Sequence, residues 1–476
     1  MKPKTLGILA LVAAALAAFI GLYERRLPST SERRERAKKA IVFDVAATRE
    51  VVLEGTTPGT RLRIEREDAA SEASPRVWWI REPLAARADG FAVDRFLQSL
   101  AAIEAVRRLD DADRQELGLA QPRFSVTLRG AYGEHTLEVG SALPIGGTVA
   151  VAVRGEAAAS IVADTLVADL TKPAADWRGR DLFTANRDEI EGISIRRGAE
   201  RLEIERRGEV FSVTVPFADR ADRDRVNELF SELASLQATR FLDGPGAGDG
   251  PLGADALAVE VRVKGRPQPL SVEIGERLAL SSTPLPPDPS AAPSAEDAAA
   301  PPETRRVRVD GVAAEAETSL AETLSRPAAA WRSAHWSAYE VYRVESLAAV
   351  VGGVPWELTR QGADWKRGDQ VLPYGPVSDL LYAVTTAKGE AVLTRAEAQA
   401  RGVGFEHPQA TFLLGGQDGE QESLSLLAAL PGGAVPAIAS GRDVVLLLSA
   451  EAAREIVDKA NAVRSAEPRK SGTAEE

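Results

Sequence analysis

The chain has 476 residues and contains no cysteine, one methionine and three histidines. The missing cysteine removes disulfide staples, thiolate nucleophiles, iron–sulfur clusters and cysteine-ligated zinc together. It leaves the compartment open, because a cytosolic protein and an unstapled envelope protein both fit it. The histidines stand apart: His135 follows a Gly-Glu turn, His335 precedes Trp336 in a polar stretch, and His407 precedes Pro408. None has partners spaced for a metal or for acid–base work. Asp110, Asp111 and Asp113, like Asp219, Asp222 and Asp224, lack the glycine and downstream glutamate of an EF-hand and read as helix caps and solvated turns. Gly246 to Gly253 and Gly415-Gly416 lack the Gly-Lys-Ser/Thr ending of a phosphate loop. No Gly-x-Ser-x-Gly or Ser-x-x-Lys motif is present. No catalytic, cofactor-binding or metal-binding residues are therefore assigned, no cofactor is implied, and the chain is not expected to be an enzyme.

Positive charge is also scarce outside one place. The formal net charge is −12, yet residues 1–40 carry nine Lys/Arg against three Glu, so the remainder stands near −18. Nucleic acid is a poor partner for such a body. With 44% hydrophobic and 27% charged residues the composition is globular, and this length suggests about three domains.

An uncharged, strongly apolar run at residues 6–23 follows Lys2 and Lys4 and ends at Tyr23 before Glu24, Arg25 and Arg26. As a helix it reaches about 27 Å, close to the ~30 Å hydrocarbon core of a bilayer. Ala15-Leu16-Ala17 offers a cleavage pattern, but the apolar run continues through Phe19, Ile20 and Leu22, longer than a signal-peptide core. An uncleaved transmembrane signal anchor over 1–24, contacting lipid through 6–23, is the expectation. A basic linker follows at 25–40, either a charged spacer or a contact for anionic headgroups. Its seven cations oppose an external body under the positive-inside rule, although long domains translocate largely regardless of charge. No later run is long enough to bring the chain back, since VVLLL at 444–448 is only five residues. The expected location is the inner membrane, single-pass, with the body in the periplasm.

Internal repeats organise everything beyond the anchor. Residues 78–110 align without a gap onto 211–243: Trp78 with Phe211, Pro83 with Pro216, Asp89 with Asp222, and Val93, Leu97, Leu100 and Ile103 with Val226, Phe230, Leu233 and Leu236. Both copies close on Arg-x-Leu-Asp. KPAADWR at 172–178 recurs as RPAAAWR at 326–332, and LGLAQPRFSVTL at 117–128 matches VGFEHPQATFLL at 403–414. The stretch 281–304, with seven prolines, reads as a disordered insertion in the second copy.

Within the second copy, 193–216 alternates apolar and polar residues in three runs split by Gly198 and Gly208, the pattern of an antiparallel meander. Asp222 should cap a helix whose buried face is Val226, Leu229, Phe230, Leu233 and Leu236. Three more strands should follow, ALAVEVRV, PLSVEIG and RRVRVDG, and then a final amphipathic helix ending at the Pro-Ala-Ala-x-Trp-Arg element. The fold class is α+β: an N-terminal transmembrane helix, then three tandem repeats of an antiparallel-sheet module with two helices packed on one face. The expected modules are 41–187, 188–342 and 343–462, with a disordered tail at 463–476. Of seven tryptophans, five sit at matching or adjacent repeat positions, which favours a core role over a sugar- or peptide-binding platform. Arg178 and Arg332 are placed to cover the repeated rings.

The anchor, the aromatic-x-x-x-x-Pro strand before an Ala-Asp-capped helix, the Arg-x-Leu-Asp element and Gly-Leu-x-x-Pro together resemble the bacterial repeat family known as domain of unknown function 4340 (DUF4340), over most of residues 41–460. The resemblance implies a membrane-anchored protein, often associated with ABC transporters of the gliding-motility type, and carries over no catalytic residues. The expected role is a non-enzymatic accessory or scaffold subunit binding envelope proteins, with ABC transporter subunits as possible partners. The alternative is an extracytoplasmic ligand-binding receptor or an envelope enzyme with an unrecognised site.

Overall fold

A computed structural model describes residues 38–56, 61–67, 77–144, 146–208, 210–243, 252–253, 256–278, 303–417 and 419–468. The expected span at 6–23, most of the basic linker and all of the proline-rich insertion except Glu303 and Thr304 lie outside these residues. Among the described residues no helix is long and apolar enough to cross a membrane.

The chain divides into two compact units between Arg180 and Asp181. The first unit holds one sheet of nine strands: β1 (Thr48–Gly55), β2 (Leu62–Arg66), β3 (Trp78–Glu82), β4 (Ala86–Arg87), β5 (Arg107–Leu109), β6 (Phe124–Gly130), β7 (Gly133–Ala142), β8 (Thr148–Val153) and β9 (Ala159–Ala163). Their order is β4-β3-β2-β1-β6-β7-β8-β9-β5, and all paired neighbours are antiparallel. Helix α1 (Gly90–Ala102) leaves the β4 edge and delivers the chain to β5 at the opposite edge, so the repeated Arg-x-Leu-Asp is an edge strand.

The second unit repeats this order twice. Its first sheet comprises β10 (Ile190–Arg197), β11 (Glu200–Arg207), β12 (Val210–Val215), β13 (Asp219–Arg220), β14 (Arg240–Phe241), β15 (Leu257–Val263), β16 (Leu270–Arg277), β17 (Glu303–Val309) and β18 (Val312–Thr318). The other comprises β19 (Val344–Val351), β20 (Val354–Gln361), β21 (Asp364–Arg367), β22 (Gln370–Val371), β23 (Ala391–Thr394), β24 (Ala410–Gly416), β25 (Gln421–Leu426), β26 (Val435–Ala439) and β27 (Val444–Leu448). Three copies of one sheet therefore lie in two compact units.

Each sheet buries one face under helices. Strict alternation does this in β11, where Leu202 and Ile204 point into the core and Glu203 and Glu205 out. The Asp89 carboxylate accepts from the Ala92 N–H and that of Asp222 from the Arg225 N–H, capping α1 and the next long helix (Arg223–Ala234) as their spacing predicts. Short helices Thr165–Leu170 and Leu320–Ser325 complete the first two modules. Trp78, Trp177 and Trp331 are buried in these cores. Lys172 lies 5.6 Å from the Trp177 ring, and Arg332 lies 3.6 Å from that of Phe217.

Several further expectations need correction. The third module has three helices, Tyr374–Thr386, Arg395–Ala400 and Ala450–Ser465. Helices do not cover one face only: Ala398 of the middle one packs with Val445 and Leu447 on the sheet face opposite Leu446 and Leu448. In the first module the loop bearing Gly118-Leu119 covers Ala150 and Ala152 in the same way. That loop approaches β7 so closely that a Cβ on Gly118, itself at φ 68°, would stand 2.3 Å from the Ser141 Oγ, which accounts for the glycine of the Gly-Leu element. The second module opens before residue 188, since Leu182 and Phe183 already belong to its core. The last helix runs through the expected tail boundary and buries Val463 completely. Finally, Val312–Thr318 adds a strand ahead of the final helix, because Asp310 (φ 47°) and Gly311 (φ 82°) form a two-residue hairpin turn that returns the chain along β17.

The outer faces of the sheets differ. In the first, the Glu50 carboxylate receives Arg63 at 2.6 Å and Arg129 at 2.9 Å. Burial opposes its ionisation, but the two guanidiniums outweigh this and hold it below the usual glutamate range. In the third sheet, Ala348, Val350 and Leu413 lie together across β19 and β24, with Val350 43% and Leu413 36% exposed.

Candidate functional site

The joint between the second and third modules is built by a short stretch of chain. Trp331 is buried in one core and Trp336 in the next, with four residues between them. The Trp331 carbonyl accepts from the Asp222 N–H and the Arg220 carbonyl from the Ser333 N–H, so the chain leaves along the edge of β13. It then enters the third module through Trp336 N–H to the Ala387 carbonyl and Gly389 N–H to the Ala334 carbonyl. The Trp336 indole packs edge-on against Phe412 and donates to the Ile438 carbonyl at 3.0 Å.

Charged side chains fill the space this creates. Asp219, on β13, and Arg442, in the turn between β26 and β27, form a two-pronged pair at 2.8 and 3.2 Å. Their side chains are only 1% and 3% exposed. Arg442 also donates to the Ser333 and His335 carbonyls, and Arg332 approaches Asp219 at 3.4 Å. Alongside, Arg220 donates to Glu422 at 2.7 Å, and the other Glu422 oxygen accepts from the Ser337 hydroxyl and the Ala338 N–H. Burial pushes the Arg220 guanidinium below its ordinary value, with Glu422 opposing the shift and Arg442 adding to it.

Buried pairs of this kind contribute little net stability, because desolvation offsets most of the attraction. Their effect is to fix geometry, since any other orientation leaves a buried charge without its partner. At the position of Asp219 the first copy has Ala86, by the same gapless alignment. An acid standing where a repeat elsewhere buries alanine was the sequence signal for this site. Reading Asp219 as a solvated cap missed it, although Asp222 is the cap expected and Asp113 caps a turn at the Gln115 and Glu116 N–H groups.

A cleft of about 560 Å³ opens beside the network, within the range of small-molecule sites. Phe211, His335 and Tyr339 line it, as do Tyr342 and Tyr382, which remain 66% and 64% exposed. Arg223 of the second module meets Glu340 of the third at 2.5 Å along it. Gly416 contributes indirectly, since a Cβ there would stand 2.7 Å from the Tyr339 ring. Of the three histidines, only His335 reaches this cleft; His135 lies on β7 and His407 is exposed in the loop before β24. Among the described residues no group of three or more His, Asp or Glu is placed to hold a metal ion.

Residues 78–256 match the family described as a domain of unknown function, DUF4340. The matched stretch begins at β3 and ends just before β15, a narrower span than the 41–460 over which the resemblance was expected. No curated protein and no solved structure matches the chain.

Proposed function

We propose that this is a non-enzymatic accessory or scaffold subunit, held in the inner membrane by residues 6–23, with its modules outside the cytoplasm and bound to envelope proteins such as ABC transporter subunits. The observation that carries the reading is the Asp219–Arg442 joint, which makes two modules one body and fixes the relation of their surfaces. The apolar strip of Ala348, Val350 and Leu413, where the first sheet carries ion pairs, adds a face suited to protein contact. The apolar run after Lys2 and Lys4 and the likeness to DUF4340 support the membrane placement.

The placement is tested by reporters fused after Glu476: alkaline phosphatase should be active and a cytosolic fluorescent reporter dark, and the reverse pattern puts the body in the cytoplasm. The role is tested by mild solubilisation of native membranes. The chain should co-elute at constant stoichiometry with a transporter ATPase and its membrane subunits; elution alone contradicts the scaffold role. The cleft favours a second reading, an extracytoplasmic ligand-binding receptor.

A further inference from the structure

The cleft between the second and third modules has a composition that narrows its ligand. Its charged side chains are largely matched with one another: Arg223 with Glu340 across the two modules, and Arg220 with Glu422 behind the wall. A site selecting a phosphate or a strongly charged peptide presents an excess of one sign. This one instead offers aromatic faces and small polar groups. Tyr342 and Tyr382 stand about two-thirds exposed at its surface, in a chain only 5% aromatic. Phe211 and Tyr339 lie further in, and Asp224, His335 and Thr386 line the same space. Flat rings with a polar edge suit a ligand that has an apolar face and a rim of hydroxyls.

We infer that this cleft binds a neutral oligosaccharide, with Tyr342 and Tyr382 stacking on sugar rings and the paired Arg223–Glu340 bridge and His335 serving its hydroxyls. The inference rests on the receptor reading and is independent of the scaffold role. The volume matches a short glycan segment, since sites of a few hundred Å³ enclose ligands of drug size. The network behind the cleft supplies preorganisation: with Asp219, Arg442, Arg220 and Glu422 fixed, the two walls do not have to be ordered when ligand arrives.

The test uses the full chain in lipid nanodiscs, which avoids sugar-based detergents. Calorimetric titrations are run with maltotriose, cellotriose and triacetylchitotriose, and with trilysine and triglutamate as charged peptide probes. At least one trisaccharide should bind. Tyr342→Ala and Tyr382→Ala should each weaken that binding by up to about tenfold, the scale of one aromatic contact. Tyr342→Phe and Tyr382→Phe, which keep the ring, should stay within about threefold of the parent. Both tyrosines are exposed, so the variants test binding without unfolding the chain. Saccharide binding that ignores both alanine variants places the site elsewhere and overturns the inference. Binding of a peptide probe in a tyrosine-dependent way, with no saccharide bound, overturns it while leaving the receptor reading in place. No binding by any probe removes both.

Discussion

Replacing Asp219 by alanine should destabilise the second unit by about 3–5 kcal/mol, the cost of leaving a buried charge without its partner. Arg442 is 3% exposed and spends two of its donors on Asp219, so the variant leaves a buried guanidinium without its carboxylate. Arg332 and the Arg220 N–H lose an acceptor at the same time. The double replacement Asp219→Ala with Arg442→Leu should recover most of the loss, because apolar groups of similar size substitute for a buried pair at little cost. Chemical denaturation of the parent, the single variants and the double variant measures all four corners of the cycle. A near-neutral Asp219→Ala, or a double variant no better than the single, contradicts the role assigned to the pair.

Trp331→Ala should cost about 3–5 kcal/mol through cavity formation, with Trp177→Ala giving a similar loss in the first unit. Both rings are buried at the same place in their repeats, Trp177 edge-on to Phe96 at 5.3 Å and Trp331 among Phe230, Leu320 and Leu324. Their indole N–H groups are buried without an acceptor. The rings are therefore held by packing, and a phenylalanine should recover part of the loss. Unchanged stability by denaturation, with partner or ligand binding lost, would move these residues from the core to a recognition surface.

How much of this was legible follows from what each element depends on. The meander of β10, β11 and β12 was readable because its side chains alternate and Gly198 and Gly208 have the positive φ of tight turns. The caps Asp89 and Asp222 announced their helices through a local hydrogen bond. β18 was not readable as a strand, since Val-Ala-Ala-Glu-Ala-Glu-Thr favours helix locally and the Asp310-Gly311 hairpin overrides that preference. The first half of the third module gave no repeat signal, because Pro373 stands where the other copies have their capping aspartate. The joint left only half a signal, the acid at the place of Ala86, and no pointer to its partner. Asp219 and Arg442 are 223 positions apart, and only the docking of one sheet edge against another sheet's turn makes them partners.

The central claim is that the second and third modules act as one rigid body carrying the cleft. Lys264 and His407 are exposed, one in each module, and a chain without cysteine accepts spin labels at Lys264→Cys and His407→Cys without competing thiols. Pulsed electron paramagnetic resonance on this doubly labelled full chain should give a single narrow distance distribution, which Asp219→Ala broadens. A broad or multimodal distribution in the parent chain would contradict the claim.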